Sequence, residues 1–243
     1  MATVIIPCAG NGSRLGLPFS KELIPLASGR SALTCVIDSA LEHPDVKRVV
    51  VVIRAGKSDI VDHLGRYADT TKIAVVYQQS GTADAAGAAL AALQLADDRC
   101  ALLLPDHILR PLPNQNPLGD LLSALNTCPV AFLVSPIRHV GWAEHAGAVQ
   151  TVAEPRIKGS RRVTAFAEHP HDLTSYDSVW AAAGFQVAAA EAALTTMAEA
   201  KSSLSGPSKT ALERSGILGA TAVEIGSFLD IGEWSRYRDH WRG

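Results

Sequence analysis

A chain of 243 residues with 47% hydrophobic and 19% charged residues is long enough to bury one α/β core without a second domain. Its net charge of −2 and sequence pI near 6.4 provide no global basic field, which argues against nucleic acid or an anionic membrane as partner. Four dispersed cysteines, none in C-x-x-C spacing, and a short N-terminal apolar stretch with no basic lead point to a cytoplasmic protein with neither a disulfide frame, a signal peptide nor a membrane span.

Short, mostly continuous apolar runs at 4–6, 49–53, 73–77, 101–104 and 130–134 read as strands covered on both faces. Between them, 32–42, 58–67, 83–96 and 118–126 place apolar residues at three- and four-residue spacings and read as helices. This alternation predicts a mostly parallel sheet with helices on both faces. Near Ser135 the rhythm changes. Residues 146–185 read as strand-like pieces split by turns. A helix at 189–200, a Ser/Gly/Pro stretch, a short helix at 210–215, a strand at 220–225 and an amphipathic helix from Glu233 follow. The expected organisation is a single domain over 1–243, with residues 136–243 carrying an appended β subregion.

The first strand runs directly into "AGNGSRLG". A Rossmann fingerprint needs a third glycine three residues after the second, but Gly16 lies four after Gly12, and the second strand ends in Arg54 instead of an acid. A Walker loop is excluded as well, because Lys21 lies nine residues past Gly12 and precedes Glu22. What remains is a loop whose backbone N–H groups can wrap a phosphate chain, with Arg14 and Lys21 supplying charge, or else a glycine turn with two solvated cations. Asp106 in "LLLPDHIL" falls where a buried strand runs out, the edge at which open α/β sheets bind ligands, although an aspartate there also serves as a cap or turn former. Asp230 in "SFLDIGEW" again follows an apolar stretch. Two carboxylates that could meet at phosphates suggest Mg²⁺. His139, His145, His169 and His171 fit no zinc spacing, and the "KGSRR" cations read as a hairpin turn before they read as a phosphate grip.

In order along the chain, G-x-G-S-R-L…K-E-L, Gln79 with Gly81-Thr82-Ala83, strand-then-Asp106, Glu168-His169-Pro170 and Asp230-Ile231-Gly232 resemble the sugar-phosphate nucleotidyltransferases, the family of glucose-1-phosphate thymidylyltransferase and its uridylyl and cytidylyl relatives. The resemblance runs from Val4 to about Tyr237. It implies a Rossmann-like (GT-A-like) α/β fold, a mostly parallel mixed sheet with an appended β subregion, in which 1–135 binds nucleotide and 136–243 binds acceptor. It also implies transfer of a nucleoside monophosphate from dTTP, UTP or CTP to a phosphorylated small molecule, most simply a sugar 1-phosphate, with Mg²⁺. Separately, Trp234, Tyr237 and Trp241 recur at helical spacing near the terminus and read as a packing face or a homo-oligomer contact.

On that resemblance Ala9, Gly10, Asn11, Gly12 and Ser13 hold the triphosphate, Arg14 lies near the departing pyrophosphate and Lys21 acts at the α-phosphate. Gln79, Gly81 and Thr82 meet the base, and Asp106 and Asp230 hold the metal. Gly147, Glu168, His169 and Gly184 line the acceptor pocket. Two positions depart: the family commonly has Glu-Lys-Pro where this chain has His169 in the middle, and Asn-Ala-Gly where it has Ala182-Ala183-Gly184. Both departures fall on the acceptor side. They keep open cytidylyl transfer to a non-sugar phosphate or phosphonate, and, in another class, a catalytically silent nucleotide-sugar sensor.

Overall fold

The computed structural model describes residues 1–10, 15–79, 84–137, 147–154, 160–170, 172–202, 206–232, 234 and 237–238. Strand Ala2–Pro7 (β1) lies between Val46–Ile53 (β2) and Arg99–Leu103 (β4), with Ile73–Tyr77 (β3) outside β2, and all of these pairings are parallel. The strands have the length and the continuous apolar character that burial on two faces requires. Beyond β4 the sheet turns antiparallel. Ser178–Gln186 (β9) fits between β4 and Val130–Pro136 (β6) and opposes both. Thr221–Glu224 (β10), Arg161–Glu168 (β8) and Gly147–Ala153 (β7) complete a nine-stranded sheet, with β10 parallel to β6. The parallel character expected of the sheet thus belongs to its first four strands and to β6–β10.

Helices Ala32–Glu42 (α1), Ser58–Leu64 (α2) and Pro117–Ala124 (α4) cover one face through Leu33, Ile37, Ile60, Leu121 and Leu122. Ala85–Ala92 (α3), Val187–Ser202 (α5) and Lys209–Arg214 (α6) cover the other through Ala88, Ala92, Leu194, Met197 and Leu212. The starts of α1, α3 and α4 are set by Ser31, Asp84 and Asn116, whose side-chain oxygens accept from Thr34, Gly87 and Gly119 N–H groups left over at each helix end. Pro117, at the first turn of α4, gives up no intrahelical bond.

One pairing has no counterpart in the predicted elements. His107–Arg110 (β5) and Ser227–Asp230 (β11) form a separate antiparallel ribbon, with Asp230 opposite His107. Near the C-terminus the Trp234 indole N–H donates to Leu15 O at 2.8 Å and the Tyr237 hydroxyl to Pro25 O at 2.6 Å. These two bonds tie residues 234 and 237 to the segment carrying Lys21. Among the described residues no helix is long and apolar enough to cross a membrane.

Candidate active site

β1 leaves the sheet through Cys8 and Ala9, both buried, and reaches Gly10. Asn11, Gly12, Ser13 and Arg14 lie outside the described residues, as do Gly81 and Thr82. The chain re-emerges at Leu15 and makes a single 3₁₀ turn, Lys21–Leu23. From it Lys21 extends to the far end of β4, where its Nζ donates to Asp106 Oδ2 at 2.5 Å, both side chains being mostly buried. The ribbon explains why a second carboxylate is close. The Ile231 N–H donates to Asp106 O at 2.9 Å, so the end of β11 is stitched to the residue just before β5 and Asp230 is brought beside it. Lys21, Asp106 and Asp230, separated by more than 200 positions at the extremes, meet at the carboxyl edge of the parallel strands.

The electrostatics follow from burial and pairing. Burial pushes the Asp106 carboxyl up, but Lys21 and His107 outweigh it and hold the group well below the ordinary aspartate range. The Asp106 charge in turn raises Lys21 against the opposing effect of burial, helped by its hydrogen bond to Lys21 and by smaller contributions from Glu22 and Asp230. The site therefore keeps a full ammonium and a full carboxylate in a mostly dry environment. His107, unremarked in the sequence, lies on Phe228 with ring centroids 4.5 Å apart and places Nδ1 3.0 Å from Ala181 O. Ser20, Lys57 and Asp59, also unremarked, surround the Lys21 turn, Lys57 and Asp59 bonding Glu22 and Ser20.

On the other face of the sheet Glu168 ends β8 opposite Gly147. The Trp180 indole N–H donates to Glu168 Oε1 at 3.0 Å. A Cβ on Gly147 would collide with that indole nitrogen, so glycine is what lets the ring reach the carboxyl. His169 follows with φ +50°, in the left-handed region that a non-glycine residue seldom occupies. Gln79 is exposed just beyond β3, while its neighbour Gln78 is buried and donates its N–H to Ile53 O at 2.8 Å.

Gly184, expected at the acceptor pocket, has a packing role in the sheet. It lies inside β9 between Ala101 and Ala131, and a Cβ there would press on Leu121 and Leu125 at 3.1–3.2 Å. Its missing side chain makes room for α4 and its C-terminal flank. Arg161, of the "KGSRR" segment, is taken up by Thr151 and Asp177.

Burial raises Glu168 from an ordinary 4.5 to about 7, against opposing contributions from Lys201 on α5 and the Trp180 N–H and a reinforcing one from Asp84 at the start of α3. A carboxyl raised on folding favours the folded state below its unfolded pKa, and that advantage fades as pH rises through the folded value. Stability should therefore decline between about pH 4.5 and 7 on account of this group, and Glu168→Gln should flatten that part of the profile. Urea titrations at half-unit intervals check it; parallel wild-type and variant curves would contradict it.

The comparisons with known proteins agree on the architecture. The family model described as "IspD: 2-C-methyl-D-erythritol 4-phosphate cytidylyltransferase" matches residues 2–163. A protein of that name from Stenotrophomonas maltophilia (strain K279a) is 32% identical over 191 residues, 76% of this chain and 78% of that one. With others of that name from Photobacterium and Shewanella species, the alignment spans 51–64% of the relative's length. Among solved structures, UDP-glucose pyrophosphorylase in complex with UDP-glucose superposes with a TM-score of 0.78 at 15% identity, covering 100% of this chain and 97% of that one. A putative glucose-1-phosphate thymidylyltransferase from Bacillus anthracis gives 0.70 at 17% identity, covering 98% and 92%.

Proposed function

The chain belongs to the IspD, or 2-C-methyl-D-erythritol 4-phosphate cytidylyltransferase, family and is a nucleotidyltransferase, and from that premise we propose that it transfers the cytidylyl group of CTP to a small non-sugar phosphate with release of pyrophosphate. The observation that carries this is the meeting of Lys21, Asp106 and Asp230 at the sheet edge. An acceptor phosphate oxygen attacks the α-phosphorus, its bond to that phosphorus forming as the bond to the bridging oxygen breaks, and the electron pair leaves with pyrophosphate. The attacking oxygen is already ionised near neutrality, so no general base is needed. The chemistry reduces to alignment and neutralisation of charge. Lys21, on a short turn beside the β1 loop, neutralises the charge accumulating at the α-phosphate, while Asp106 keeps that ammonium protonated and in place.

Asp106 and Asp230 form an all-oxygen pair of hard donors, and among the described residues no larger cluster of His, Cys, Asp or Glu competes. That set fits Mg²⁺, which takes one or two carboxylates and completes its shell with phosphate oxygens and water. When bound there, it would supply further neutralisation of phosphate charge. The four free cysteines suit a reducing compartment and support placement in the cytoplasm.

The choice of a non-sugar acceptor rests on His169 and Ala182. A histidine and an alanine replace a fixed cation and an amide there, and Ala182 is fully buried against Leu103. Losing one charge-assisted hydrogen bond to the acceptor costs about 1.5–3 kcal/mol, or roughly one to two decades in specificity. The test is kcat/KM for pyrophosphate release with CTP, UTP, dTTP and GTP, each against 2-C-methyl-D-erythritol 4-phosphate, glucose 1-phosphate and simple phosphonates. CTP with a non-sugar acceptor should lead, with glucose 1-phosphate roughly ten- to a hundredfold behind. UTP or dTTP with glucose 1-phosphate as the best pair would overturn it.

A further inference from the structure

Lys21 stands between two neighbours that are both held by one short segment. The Ser20 N–H and hydroxyl donate to Asp59 Oδ2 and Oδ1 at 2.6 and 2.7 Å. Two residues earlier than Asp59, Lys57 donates from Nζ to Glu22 Oε2 at 3.0 Å. Positions 57 and 59, at the entrance to α2, thus hold positions 20 and 22, and the residue left between the two grips is Lys21. The turn Lys21–Leu23 is one 3₁₀ turn, and Ser20 does not cap it, its hydroxyl being spent on Asp59. A single turn of this kind has little rigidity of its own.

The Glu22–Lys57 pair is costly in a way that a merely structural contact need not be. Glu22 has no exposed surface, Lys57 is 7% exposed, and Glu22 Oε1 is a buried oxygen without a hydrogen-bond partner among the described residues. Apolar residues of similar volume would stabilise such a position at least as well, so a buried pair is poor evidence for stability and better evidence for a demand on geometry. The demand here is for placement of a flexible side chain: Lys has four rotatable carbons, and a displacement of about 1 Å at a reacting centre can cost on the order of a hundredfold in rate.

We propose that Lys57 and Asp59, acting through Glu22 and Ser20, are positioning residues that fix the backbone of Lys21 so that its ammonium reaches the carboxyl edge of β4. Neither is placed to touch nucleotide or acceptor in this scheme; their effect passes through Lys21. The proposal rests on the assignment of Lys21 as the group that neutralises phosphate charge.

The test uses the full chain, with Asp59→Ala and Lys57→Met as the disrupting variants and Lys57→Arg as the conservative one. Thermal melts identify the folded variants; if Lys57→Met does not fold, Asp59→Ala carries the experiment. With CTP and 2-C-methyl-D-erythritol 4-phosphate, or the best pair from the substrate panel, kcat should fall about ten- to a hundredfold with KM for nucleotide changed much less, and Lys57→Arg should recover most of the loss. In a Lys21→Ala background Asp59→Ala should produce almost no further loss, because the group through which it acts is gone. Losses that multiply in that background, or a folded Asp59→Ala with the wild-type kcat, would overturn the proposal. An activity-independent arm separates this from an error in the substrate: in protein labelled with ¹⁵N-lysine, the slowly exchanging Lys21 ammonium signal arising from its bond to Asp106 should disappear in Asp59→Ala. Its persistence unchanged would contradict the positioning role whatever the enzyme acts on.

Discussion

Replacing Lys21 by alanine is expected to lower kcat for pyrophosphate release by about 10²–10³ while weakening nucleotide binding far less. The ammonium is mostly buried and bonded to Asp106 at 2.5 Å, so in the resting enzyme it has a counter-charge and offers little net attraction to a ground-state triphosphate. As the α-phosphate is attacked, charge grows where this cation can meet it, and an interaction that strengthens only then appears in kcat. The substitution also leaves the Asp106 carboxylate buried without its main partner. Removing one member of a buried pair typically costs about 3–5 kcal/mol of stability, so thermal midpoints must be measured beside the kinetics, and Lys21→Ala with Asp106→Asn gives a control that carries neither charge. Calorimetric titration with a nonhydrolysable CTP analogue separates binding from chemistry. A Lys21→Ala enzyme that turns over normally at saturation but binds nucleotide poorly would show the residue to be an anchor only.

The parts of the fold that were legible are those written locally. α1 was predicted over its whole length because its apolar residues recur at helical spacing, and the Ser31 cap seen in the structure fixes the same start. The strands β1, β2, β4 and β6 were legible because each is a continuous apolar run long enough to cross the sheet. The β5–β11 ribbon was not. Each strand has only four residues, and they pair across roughly 120 positions of sequence, so neither piece carries a period that a local pattern can reveal. Asp106 and Asp230 could be chosen as strand-end carboxylates, but the device that joins them could not be seen. The pairing of Glu22 with Lys57 was overlooked for a related reason: a charge in a loop is usually solvated, and nothing in "KEL" or "AGKSD" announces that the two are buried against each other. Gly184 shows a different limit. A glycine inside a strand signals that something approaches closely, but the sequence does not say whether that is a ligand or, as here, Leu121 and Leu125.

The two carboxylates should separate when each is neutralised. Asp106→Asn removes the charge that holds Lys21 and one of the two proposed Mg²⁺ ligands together, so turnover should fall by about 10²–10³ at saturating Mg²⁺. Asp230→Asn leaves the Lys21–Asp106 bond intact, since Asp230 is the smaller contributor to the Lys21 environment and its own Oδ1 also accepts the Gly232 N–H at 2.8 Å. Its main loss should be in cation affinity: the Mg²⁺ concentration for half-maximal rate should rise by at least about tenfold, in line with the 10–100-fold effects seen when the surroundings of a metal site are disturbed, and excess Mg²⁺ should restore part of the rate. Calorimetry with Mg²⁺ and a nonhydrolysable triphosphate gives the same comparison without turnover. Wild-type rates in both variants would remove the carboxylates from the mechanism. An Asp106→Asn defect fully repaired by Mg²⁺ would instead make metal binding its sole task and leave Lys21 to be positioned by the chain around it.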